Sequence, residues 1–188
     1  MLHFTGKEIG NTYIEEIRIS LVRCNHYEVT EDDRSIGTFF SGCKHSGEKY
    51  YSVTQGEVNF TIRLMRKSLF KNQYQILQVK NSKSIGYFKF STWEWLNPTG
   101  GVMLFANGEV YHFKEVFGIL KRTWQKKQKF EMCFDSIKYS GEFKIDDTFN
   151  ATFTGLIETE SRIQNAPAIL GLFFIDRKFR SWIHNKID

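Results

Sequence analysis

Two cysteine–histidine pairs come closest to a metal-binding pattern in this chain: Cys24-Asn25-His26 and Cys43-Lys44-His45. Residues two apart on a strand share a face, so two neighbouring strands carrying these pairs would offer two thiolates and two imidazoles to one zinc ion. The spacing differs from the usual C-x-x-C and H-x-x-x-H arrangements. The competing expectation is that these are surface residues in and beside a loop, and no cofactor is expected. The acids are scattered: Glu15-Glu16, Glu31-Asp32-Asp33 and Asp146-Asp147 sit in turn-like or exposed sequence. A paired-carboxylate mechanism needs two such groups converging, with the pKa of one raised. The chain has no G-x-S-x-G, no P-loop and no dinucleotide glycine pattern. Cys133, within Phe-Glu-Met-Cys-Phe, reads as a small buried residue rather than a nucleophile. A non-enzymatic protein is expected.

Binding chemistry has better material. Residues 120–130, LKRTWQKKQKF, set Lys121, Arg122, Lys126, Lys127 and Lys129 around Trp124. Cations beside an aromatic anchor suit an anionic membrane surface. They also suit a nucleic-acid backbone, but such charge runs more often solubilise than bind, and the favoured reading is a solvated hairpin whose charges keep a strand edge from pairing. Trp93-Glu94-Trp95 places two indoles on one strand face, as a core or barrel-rim pair or as a ligand-stacking patch. The formal net charge of +5 is a mild bias. It makes nucleic acid an unlikely partner and fits weak attraction to an anionic surface.

The elements that must position these residues are mostly strands. Phe and Tyr are abundant, at 18 and 8 residues, and aromatic side chains favour strands. Val58, Phe60, Ile62 and Leu64 alternate along one face. YQILQVK and SIGYFKF bracket a short loop at residues 81–83, and TFFSG and KYYSV flank a loop at 41–48. Asn107-Gly108 between two strand-like runs is a strong hairpin signal. The count reaches about eleven or twelve strands, with no linker to divide 188 residues into more than one domain. Three cysteines, an odd and sparse number, argue against a disulfide framework, and the first residues carry no apolar leader. A cytoplasmic protein without a membrane-spanning segment is expected.

The last apolar run breaks the strand pattern. In NAPAILGLFFIDRKFRSW, residues 165–182, Asn165 is a good N-cap and Pro167 falls in the first turn. A helix over about 166–182 follows, roughly 25 Å long, close to the height of a small barrel. Stepped by ~100° per residue, Ile169, Leu170, Leu172, Phe173, Phe174 and Ile175 point in nearly every direction, and Gly171 leaves a notch. A helix apolar on all sides has to be surrounded. Burying these six side chains is worth ~9–18 kcal/mol gross. Beyond Asp176 the pattern turns amphipathic.

Such a chain, aromatic-rich, many-stranded and closing on one enveloped helix, resembles the tubby C-terminal-like superfold, which includes tubby proteins, phospholipid scramblases and LURP-one-related proteins. AILGLFFID, residues 168–176, looks like the scramblase helix, and YQILQVKNSKSIGYFKF resembles the family's paired strands. The resemblance implies a closed antiparallel barrel of about twelve strands wrapping a hydrophobic C-terminal helix, in one domain over residues 1–188. The Pro-rich, Cys-clustered start of scramblases, their calcium-binding loop and the tubby signature are not in this sequence, so scrambling and phosphoinositide recognition are not implied. A small bacterial-type member is the nearest fit. The functional expectation is a binding module that contacts anionic lipid or a protein through Lys121, Arg122, Trp124, Lys126 and Lys127. The alternative is a lipocalin-like carrier of a small hydrophobic ligand, its helix packed outside the barrel.

Overall fold

The structure, a computed structural model, describes residues 1–15, 18–66, 73–90, 100–115, 127–134, 136–145, 151–159 and 165–177. The strands are β1 (Leu2–Ile14), β2 (Ile19–Glu31), β3 (Arg34–Lys44), β4 (Lys49–Gln55), β5 (Val58–Arg66) and β6 (Gln73–Gln78). They continue as β7 (Lys83–Phe90), β8 (Gly100–Phe105), β9 (Val110–Glu115), β10 (Lys127–Phe134), β11 (Ile137–Ile145) and β12 (Ala151–Thr159). Each pairs antiparallel with its sequence neighbours, and β1 closes on β12 from Leu2↔Ile157 to Lys7↔Thr152. Closure leaves no free sheet edge to cover. The expected mainly-β barrel of twelve strands around a buried C-terminal helix is what forms.

Turn chemistry sets the register at one rim. Asp32 and Asp33 both take positive φ, 47° and 63°, as a two-residue hairpin of primed type requires. At the expected hairpin, Gly108 has φ 91° and the Glu109 amide donates to Asn107 Oδ1 at 3.1 Å. At the 81–83 loop, the Lys83 amide donates to Asn81 Oδ1 at 3.0 Å.

The interior belongs to the C-terminal segment. Helix α1 (Asn165–Leu170) gives a turn at Gly171 and helical backbone resumes over 172–177. Ile169, Leu170, Leu172 and Phe173 are each 0 % exposed, and Phe174 and Ile175 only 2 % and 1 %. Enclosure therefore runs through all six large apolar residues and includes Asp176, at 0 %. Strand aromatics grip the helix: Phe173 lies 4.9 Å from Tyr51, 5.0 Å from Tyr74 and 4.7 Å from Phe88, ring centre to ring centre. Phe174 meets Phe88 at 5.1 Å and Phe134 at 4.9 Å. The notch at Gly171 is filled by Tyr139, whose hydroxyl donates to the Ala168 carbonyl at 2.7 Å and would collide with any Cβ at position 171. With the helix inside, the carrier expectation loses its premise of a helix packed outside the barrel.

Several local expectations change. Ser41–Lys44 continue β3 instead of opening the 41–48 loop, which shrinks to a turn at 45–48. Phe60 and Ile62 point inward, but Val58 and Leu64 reach past the ends of the packed layer and are 36 % and 46 % exposed. Cys133 is only partly buried, because Phe130, Met132 and Phe134 take the inward positions of β10 and leave it on the outer face.

Candidate functional site

Strand direction divides the barrel into two unlike rims. Successive strands alternate, so β1, β3, β5, β7, β9 and β11 end at one rim, and the odd-to-even connections start there. The opposite rim carries the short turns 32–33, 56–57, 79–82 and 106–109. The helix starts beyond the end of β12, at the short-turn rim, and runs toward the other, where Arg177 reaches Tyr74, the second residue of β6. We call the latter the exit rim.

The helix meets the exit rim through two adjacent side chains of unlike environment. Asp176 is buried, and one carboxyl oxygen, Oδ1, accepts from Asn25 Nδ2 at 2.7 Å, Ser41 Oγ at 2.7 Å and the Tyr27 hydroxyl at 3.2 Å. A buried acid at the C-terminal part of a helix opposes the helix dipole, and three donors on one oxygen offset that penalty. Arg177 donates to the Tyr74 hydroxyl and lies over the rings of Tyr74, at 4.9 Å, and Phe173, at 5.7 Å. Burial holds its guanidinium below the usual arginine value, and a hydrogen bond with Tyr51 partly restores it.

Backbone irregularity in β2 builds this cluster. Arg23 takes φ 53°, and the register between β2 and β3 slips between Val22 and Asn25. The bulge turns both Cys24 and Asn25 inward, where strict alternation would allow only one of them. The same bulge separates the first cysteine–histidine pair: Cys24 is 0 % exposed inside the wall while His26 points outward. Cys24 is thus neither a surface residue nor on the face of its histidine. Cys43 is partly buried and its thiol contacts the Lys44 carbonyl at 3.4 Å, and His45 stands exposed in the following turn. Among the described residues no group of three or more His, Cys, Asp or Glu side chains gathers where a metal could bind. All three cysteines are free thiols. Partial burial and the neighbouring Glu131 push the Cys133 thiol above its ordinary value, against an opposing pull from Lys138.

Of the binding residues expected from sequence, Lys121, Arg122, Trp124 and Lys126 lie outside the described residues, as do Trp93 and Trp95. Lys127 opens β10 and pairs with Lys144, and its side chain is outside the described set. The outer wall carries an open trough of about 850 Å³ across β1, β12, β11 and β10. Its polar lining mixes the hydroxyls of Thr5, Ser140 and Thr154 with Glu131, Glu142 and Lys129. Glu131 is already paired with Lys138 at 3.2 Å. Among the described residues no helix is long and apolar enough to cross a membrane. Comparison with protein-family models, curated proteins and solved structures gives no match.

The Asp176 cluster was missed in the sequence because its members are 149, 135 and 151 positions away from Asp176 for Tyr27, Ser41 and Asn25. One signal was available: an acid directly following an all-apolar helical run, which no enclosed helix tolerates without donors from the wall.

Proposed function

We propose that this chain is a non-enzymatic, cytoplasmic binding module, a small member of the tubby C-terminal-like superfold, and that it contacts anionic membrane surface through its exit rim. The observation that supports this is the inequality of the rims. Strands β5, β7 and β9 end at the exit rim, and β6, β8 and β10 begin there. The sequence between them, 67–72, 91–99 and 116–126, holds Lys67, Lys71, Trp93, Trp95, Lys121, Arg122, Trp124 and Lys126. Cations next to tryptophan are the composition that partitions to a charged bilayer interface. The short-turn rim carries Asp32, Asp33, Glu57 and Glu109 against the single cation Lys80 of its four short turns, while the exit-rim connections offset their own acids, Glu15, Glu16, Glu48, Glu94, Asp146 and Asp147, with the cations named above and Arg18. An interior filled by its own helix directs ligand contact to the outside. A closed twelve-strand barrel around a C-terminal helix is also the arrangement that the superfold resemblance implies.

Sedimentation with vesicles tests the proposal. The protein is expected to pellet with phosphatidylserine-containing vesicles and not with purely zwitterionic ones, and to be released by salt. Lys121→Glu/Lys126→Glu is expected to weaken the association by more than tenfold, at about 1 kcal/mol for each cation near the surface. Equal binding by that variant, or no binding by the parent protein, removes the lipid assignment.

A further inference from the structure

We propose that the outer wall of the barrel carries a second binding site, a track for an extended acidic peptide, made by Lys144, Lys7, His26 and the Phe40–Tyr50 ring pair. It uses residues other than those assigned to the membrane and stands independently of that assignment.

The track is one rung of the ladder. Lys144 pairs with Thr152, Thr152 with Lys7, Lys7 with His26 and His26 with Phe40, across β11, β12, β1, β2 and β3. All five face outward, because their chain neighbours Phe143, Phe153, Tyr27 and Phe39 fill the interior. Lys144, Thr152 and Lys7 are exposed, and His26 and Phe40 partly so. None of the side chains of Lys144, Thr152, Lys7 and His26 has a hydrogen bond or ion pair among the described residues. No acid interrupts the rung. It ends on an aromatic step, Phe40 packed edge-on against Tyr50 at 6.2 Å.

Shape selects the partner. Five adjacent strands cover four of the twelve strand-to-strand steps, a third of the circumference. A flat bilayer cannot follow that arc along the wall. Nor does the rung stay level with the exit rim: Lys144 is the penultimate residue of β11, whereas Lys7 lies about 20 Å of strand short of the end of β1 at Ile14. A flexible chain can follow both the arc and the descent. Charge then limits which chain. Glu142 and Glu28 sit two residues along the strands from Lys144 and His26, one rung nearer the short turns. A nucleic acid, with a phosphate at every nucleotide, would press excess charge against those acids. A peptide can carry an acid only where a lysine waits.

Strand spacing sets the pattern. Lys144 to Lys7 is two strand steps, about 10 Å, and Lys7 to Phe40 is two more. A peptide in the extended polyproline II conformation advances about 3.1 Å per residue with three residues per turn, so every third side chain faces the wall and three residues match each interval. The complementary sequence is Glu-x-x-Glu-x-x-Phe, with the acids over Lys144 and Lys7 and the ring against Phe40 and Tyr50.

Fluorescence anisotropy of the full chain with a labelled peptide of that pattern, with serine and threonine at x, tests this. Saturable, salt-sensitive binding is expected. Lys7→Gln/Lys144→Gln is expected to weaken it about tenfold, the combined worth of two exposed ion pairs, and Lys7→Glu/Lys144→Glu by more. A scrambled peptide of the same composition is expected to bind several-fold less well. Circular dichroism of both variants should match the parent, since both lysines are exposed. The proposal is overturned by absent binding, by equal affinity in the charge-reversed variant, or by equal affinity for the scrambled peptide. Stronger binding of single-stranded DNA of equal charge also overturns it in favour of a nucleic acid.

Discussion

The two faces of one short stretch of wall do opposite things. On β2, Asn25 and Tyr27 point inward to Asp176 and His26 points outward. On β3, Ser41 points inward to the same carboxyl and Phe40 points outward. Inside, Asn25, Tyr27 and Ser41 all donate to the Asp176 carboxyl across the helix interface. Outside, the side chains of Lys7, Lys144 and His26 have no hydrogen bond or ion pair among the described residues. Burial explains the contrast: an unmatched donor inside costs about 1–3 kcal/mol, while an exposed ammonium in water costs nothing. Polar residues on the inner face therefore report on how the helix is held, and those on the outer face are available for recognition. Changes to the inner face should move stability and leave binding alone, and changes to the outer face should do the reverse.

The most severe way to probe the inner face is to remove the helix. Ending the chain after Arg162 takes away ~9–18 kcal/mol of gross apolar burial. A typical domain has a net stability of only about 5–15 kcal/mol. The truncated chain is expected to lack a cooperative unfolding transition and to expose apolar surface to hydrophobic dyes. A soluble fragment that melts like the parent protein would show that the helix is dispensable.

Asp176→Ala comes next. It leaves the donors of Asn25, Ser41 and Tyr27 without their shared acceptor in a dry interior. A loss of about 3 kcal/mol is expected in urea unfolding, with Asp176→Asn, which keeps an acceptor oxygen, losing about half of that. If alanine is tolerated within 0.5 kcal/mol, a range usual for surface substitutions, the three hydrogen bonds do not fix the helix in place.

The inner apolar layer was readable in the sequence and the polar cluster was not, for a physical reason. The helix announces itself because six large apolar residues within seven positions, 169–175, cannot face water on any side, whatever the partner. The strands follow from two-residue alternation and from turn residues such as Asn107-Gly108 that fix their own backbone. The Asp176 cluster depends on a bulge at Arg23 that puts two successive residues inside, and alternation carries no mark of it. The same bulge puts Cys24 and His26 on opposite faces of the wall. Ser41 was hidden for a simpler reason: Gly42 and the polar residues after it resemble a loop, yet β3 runs on to Lys44 because its inward side meets the helix end. The outer rung was likewise invisible, since Lys144 and Lys7 come together only through the closure of β1 on β12.

Tyr139→Phe sharpens the inner face at a single atom. The hydroxyl donates to the Ala168 carbonyl, so its loss is expected to cost about 1 kcal/mol at neutral pH. Burial also raises the phenol well above the ordinary tyrosine value of about 10. A folded-state pKa above the unfolded one means stability is fully present below pH 10.0 and declines as pH rises through that range. The parent protein should therefore lose stability steeply in alkali, and Tyr139→Phe should show a shallower decline, with the two curves converging. Parallel curves would mean that the phenol ionises without unfolding the barrel.

The smallest stability effect belongs to the outer face and tests the other half of the comparison. Lys7→Gln/Lys144→Gln removes two charges that have no ion pair among the described residues, so unfolding should shift by no more than about 0.5 kcal/mol. Its direction is informative. With Lys127 paired to Lys144 along the rung, like charges are neighbours, and removing the lysines should leave stability unchanged or slightly raised. A loss of 1 kcal/mol or more would mean that these lysines serve the barrel itself, through their aliphatic stems or an ion pair formed in solution. The wall would then be structural on both faces.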